Sequence, residues 1–64
     1  MKDRTWEYIG GHQWSLVDNT SLYKDHLCTV EIEKGKYPIV GYCSVGLDQE
    51  DLQNILNIIK EEYE

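Results

Sequence analysis

Residues 47–64 constrain the fold more than any other stretch, because they read as one capped amphipathic helix that must find an apolar layer to cover. Asp48 suits the N-cap and Asp51 the third helical position, while Leu47 and Leu52 flank them as the two halves of a hydrophobic staple. Leu52, Ile55, Leu56, Ile59 and Tyr63 then fall on one stripe at helical spacing, with Ile58 well off its centre. Ile58 either widens the buried face or stays exposed. Such a stripe needs a partner layer, and the chain before it supplies a sheet.

Residues 27–33 alternate strictly, with Cys28, Val30 and Ile32 pointing inward. A two-residue turn at Lys34 and Gly35 pairs Ile32 with Tyr37, Val30 with Ile39 and Cys28 with Gly41. Tyr37, Ile39, Gly41, Cys43 and Val45 form the matching inward set, with Cys28 and Cys43 diagonal and His26 opposite Cys43. Pro38 has no N–H for a ladder bond, which puts the start of the last strand at a sheet edge. Upstream, a three-residue loop at positions 10–12 pairs Ile9 with Gln13, Tyr8 with Trp14 and Trp6 with Leu16. That register gathers Trp6, Tyr8, Trp14 and Leu16 on one face. Residues 18–21 carry loop chemistry, and residues 22–25 are expected to form a single helical turn. The expected fold is α+β, one domain over residues 1–64. It has about four antiparallel strands in two hairpins and one C-terminal helix packed on one face, in the order ββββα.

Size and charge narrow the function. A chain of 64 residues buries only about 60% of the surface its unfolded form exposes, too little for a deep supported cleft. A binding surface needs no such depth. The formal charge is −6, and from Asp48 onward six acids face the single base Lys60. Such a surface repels phosphate backbones, so direct nucleic-acid binding is disfavoured, whereas a basic protein or the groove of a DNA-binding protein suits the sign. The first residues lack an export signal and no apolar run exceeds two residues, so neither secretion nor a membrane span is expected. With two cysteines, a reducing cytoplasm is the expected location.

No motif carries chemistry. There is no paired C-x-x-C and no zinc spacing around His26, so no metal is expected; Cys28 and Cys43 read as buried free thiols, with a disulfide as the alternative. No third group orients a His26–Cys43 pair, and the helix acids see no pocket, which argues against an enzyme. Gly10 and Gly11 join strands and open no helix, so no phosphate loop and no cofactor are expected. Trp6, Tyr8 and Trp14 read first as core, and otherwise as a face for a small ligand.

Three functional readings remain. The first is a small acidic protein-binding module without enzymatic activity, an inhibitor or antagonist of a host protein. Its contacts would come from the helix face of Glu50, Asn54, Asn57, Glu61 and Glu64 and from the strand face of Val40 and Tyr42. In size and acidity the chain resembles, as a class, the small proteins of phages and mobile elements that bind and block host enzymes. The second reading is a homo-oligomer associating through Ile58, Val40 and Tyr42, and the third is a small-ligand binder on the aromatic face.

Overall fold

A computed structural model of the chain describes residues 3–20 and 22–63. Four strands, β1 (Arg4–Gly10), β2 (Gln13–Asp18), β3 (Asp25–Glu31) and β4 (Ile39–Cys43), precede one helix, α1 (Gln49–Tyr63). The strands form one antiparallel sheet in the order β1-β2-β3-β4, and the helix packs on one face of it. The two hairpins are joined in this sheet by β2 and β3, which pair from Gln13 opposite Glu31 to Asp18 opposite Asp25.

The first hairpin keeps the expected register where it matters. Trp6 faces Leu16 and Tyr8 faces Trp14. The loop itself is tighter than expected: Gly11 and His12 form the turn with φ of 59° and 63°, and Gly10 rather than Ile9 opposes Gln13. The extra residue is absorbed as a bulge between Tyr8 and Gly10. The His12 carbonyl then accepts the Ile32 N–H at 2.7 Å, tying this turn to the end of β3.

The second hairpin departs from the simple alternation. Val30 faces Val40 and Glu31 faces Ile39, while Cys28 faces Cys43 directly, so the Val30–Ile39, Cys28–Gly41 and His26–Cys43 pairings do not form. Lys34 and Gly35 do turn the chain, since the Lys36 N–H donates to the Glu33 carbonyl at 3.1 Å and the Lys36 ammonium reaches the Glu33 carboxylate at 3.0 Å. The strand pairing stops at Glu31 and Ile39, however, so the connection is longer than a two-residue hairpin loop. A bulge between Thr29 and Val30 then shifts the register by one more residue, so that Thr29 faces Tyr42 and Cys28 faces Cys43. Gly41 sits there because the Thr29 hydroxyl comes within 3.1 Å of where a Cβ would stand, and the same hydroxyl accepts the Tyr42 N–H at 3.1 Å. Because a one-residue change in register exchanges faces, Val40 lies on the helix side with Val30 while Tyr42 lies on the far side with Thr29. The inward set Tyr37, Ile39, Gly41 and Cys43 is not buried: all of β4 is exposed, and so is Tyr37. Residues 22–25 form no helical turn; Leu22 and Tyr23 stand exposed at a loop tip and Asp25 already belongs to β3.

The helix start follows the cap chemistry in full. Asp51 N–H donates to the Asp48 carboxylate at 2.9 Å, and Asp48 N–H donates to the Asp51 carboxylate at 3.3 Å. Asp51 is only 2% exposed, and Arg4 of β1 reaches its carboxylate at 3.2 Å. Trp6 adds an indole N–H bond to the Asp51 carbonyl at 2.9 Å. One aspartate therefore caps the helix and docks it on β1.

The apolar stripe is turned from its expected centre. Ile55 is buried, and Ile58, Ile59 and Tyr63 are partly buried against Trp6, Leu16, Cys28, Val30 and Ile32. Ile58 thus widens the buried face, whereas Leu52 and Leu56 are exposed. The Asp51 anchor draws the helix over β1, and Trp14 of β2 donates to the Tyr63 hydroxyl at 3.0 Å at the other end. The inner side of β4 is left uncovered.

Candidate binding surfaces

The helix position opens a groove between α1 and β4. Its volume is about 300 Å³, and every residue lining it is apolar, among them Pro38, Val40, Leu47, Leu52, Leu56 and Ile59. Leu56 is 56% and Val40 57% exposed, so this is apolar surface left open beside the free edge of the sheet. The sequence stripe contained Leu52, Leu56 and Ile59. What it lacked was the rotation that exposes the first two.

The expected contact residues do not form one surface. At about 100° per residue, Glu50, Asn54, Asn57 and Glu61 occupy the helix flank turned away from the groove, whose own flank carries Gln49, Gln53 and Lys60. Glu50, Asn57 and Glu61 are exposed, Asn54 is half-buried, and Ile58 packs on the core. Val40 borders the groove while Tyr42 faces away from it, and Glu64 lies outside the described residues.

The aromatic face divides as well. Trp6 is core, its indole N–H committed to Asp51. Tyr8 and Trp14 remain partly open, with ring centroids 5.3 Å apart and planes tilted by 60°. Together with Tyr63 and Glu62 they line a second open notch of about 350 Å³.

The thiols differ from one another. Cys28 is buried, but Cys43 is exposed, which corrects the expectation of two buried thiols, and its Sγ lies 3.0 Å from the Val45 carbonyl. Burial, reinforced by the neighbouring Cys43 and then by the Asp51 charge, pushes the Cys28 thiol up to about 12. At the turn, the Lys36 ammonium holds the Glu33 carboxyl below its ordinary range, and Glu33 in return raises Lys36.

His26 Nδ1 lies 2.7 Å from the Ser15 hydroxyl, a contact that links β2 to β3. Ser15 has no exposure, so its hydroxyl meets no substrate, and either partner donates according to the imidazole tautomer. Among the described residues, no group of three or more His, Cys, Asp or Glu is placed to hold a metal ion, and no helix is long and apolar enough to cross a membrane. No protein-family model matches the chain, and no curated protein or solved structure matches it either.

Proposed function

We propose that this chain is a non-enzymatic protein-binding module whose docking surface is the groove between α1 and β4. One observation carries the reading: a wholly apolar groove stands open beside an unpaired strand edge, on a chain too short to spare apolar area. The occupant is an extended apolar segment of a basic protein. Alternate side chains of such a segment fill the groove while its backbone pairs with β4. The sign follows from the −6 charge, which attracts basic proteins and repels acidic ones at a distance. In this reading the acids steer and the leucines hold.

The test compares the wild-type chain with Leu56→Gln in affinity capture from its native source, at low and at high salt. A basic protein held by the wild type, released by salt and lost with Leu56→Gln, supports the reading. Equal recovery by both chains, or an acidic partner, overturns it.

A second copy is the alternative occupant. It is favoured by the turning of Glu50 and Glu61 away from the groove, which lets two acidic chains meet without facing their charges. Light scattering separates the two readings, because a monomer at high concentration removes the second.

A further inference from the structure

The last turn of α1 carries a charge arrangement that works against the helix. Glu61 and Glu62 stand where the backbone carbonyls already present the negative end of the dipole, and Lys60 is the only base of that turn. Local folding gains nothing from these acids.

Glu62, but not Glu61, stands beside a surface that the first two strands build. Tyr8, Trp14 and Tyr63 form three walls of the 350 Å³ notch, and Glu62 forms the fourth. The Tyr8 and Trp14 rings, 5.3 Å apart and inclined at 60°, make a corner rather than a stack. The Trp14 indole N–H is committed to the Tyr63 hydroxyl at 3.0 Å, which sets two of the walls relative to each other. Aromatic faces carry the negative part of the ring quadrupole and attract a cation placed over them. The carboxylate and the helix end add negative potential of the same sign. An anion is repelled by each of these features, and a neutral ligand gains at most a hydrogen bond from the carboxylate, without the attraction between opposite charges.

We propose that this notch binds an organic cation, an alkylammonium or guanidinium head group, seated between Tyr8 and Trp14 with Glu62 as its counter-charge. The site shares no residue with the α1/β4 groove and does not depend on what fills it. The same head group is available from a free small ammonium compound or from a lysine or arginine side chain of a protein.

The chain carries its own internal control for a test. It has two indoles: Trp14 lines the notch, while Trp6 is buried and bonded to Asp51. Indole N–H resonances are followed by NMR during titration with tetramethylammonium chloride, with an arginine-containing tetrapeptide, and with neopentyl alcohol as the neutral isostere, all at constant ionic strength. The expected result is a saturable shift of Trp14 with both cations, little movement of Trp6, and no saturable shift with the alcohol. Tighter saturation by the peptide assigns the site to a protein-borne cation, and equal or tighter saturation by tetramethylammonium assigns it to a free one. Glu62→Gln and Tyr8→Leu, both at exposed positions, are expected to weaken binding roughly two- to fivefold each. The absence of a saturable Trp14 shift with either cation, or an equal shift with neopentyl alcohol, overturns the proposal.

Discussion

Asp51 joins three interactions that are usually spread over several residues. Its carboxylate completes the reciprocal cap with Asp48 and meets Arg4, while its carbonyl receives the Trp6 indole. Asp51→Ala therefore removes a cap and leaves a partly buried guanidinium without its carboxylate, at a cost of about 2 kcal/mol. Asp48→Ala removes the other half of the reciprocal cap and is expected to cost about 1 kcal/mol. Urea unfolding of the two variants checks the order, and an equal loss in both refutes the anchoring role of Asp51. Cys28 makes a prediction in pH. A thiol that ionises near 9 in the open chain and near 12 in the fold holds its proton more tightly when folded. Its contribution is complete below about pH 9 and is lost as the pH rises toward 12. The urea midpoint of the wild type is expected to fall through that window more steeply than that of Cys28→Ala; parallel curves contradict the assignment.

At the scale of the element, β4 is decided by one bulge. Gly41→Ala drives a methyl group toward the Thr29 hydroxyl and disturbs its bond with Tyr42, so a loss of about 1 kcal/mol is expected. Hydrogen exchange at the Tyr42 amide is the matching local probe, with faster exchange in the variant. The same register sets Cys28 opposite Cys43. The neighbouring Ser44 N–H bonds the Leu27 carbonyl at 2.8 Å, so the cysteines occupy the closer, non-hydrogen-bonded pairing that suits a disulfide. Oxidation with excess oxidised glutathione is expected to join them, releasing two molecules of the reduced tripeptide for each one consumed. Closing a loop of roughly fifteen residues adds about 3 kcal/mol in the chain-entropy model. A stable glutathione adduct on Cys43 without the internal bridge contradicts this geometry.

For the whole molecule, the position of the helix divides the apolar residues into those that hold the fold and those left for a partner. Ile55→Ala is expected to cost about 2–4 kcal/mol, because Ile55 lies in the core against Trp6 and Val30. Leu56→Gln is expected to change stability by no more than about 0.5 kcal/mol, since its side chain is mostly in water. A large loss at Leu56 would show that the groove is closed in solution. If both stability results hold, loss of partner capture in Leu56→Gln reports binding rather than unfolding.

What the sequence determined by itself was local. The helix start, the Trp6–Leu16 and Tyr8–Trp14 pairs, the inward set Cys28, Val30 and Ile32, and the ββββα order follow from cap chemistry, turn residues and periodicity. Each of these acts within a few positions of chain. The tertiary structure decided the rest. Alternation carries no mark of a bulge, so the register beyond Thr29 and the faces of Val40 and Tyr42 depended on the close approach of Thr29 to Gly41. Helical spacing fixes the relative angles of side chains but not the rotation of the helix on its sheet. That rotation was set by contacts from Arg4 and Trp6 to Asp51, more than forty residues apart along the chain. It exposed Leu52 and Leu56, opened the groove over β4, and brought Glu62 and Tyr63 to the rings of Tyr8 and Trp14. Glu62 had no local explanation in the sequence because Tyr8 and Trp14, its neighbours in the notch, lie on the first two strands.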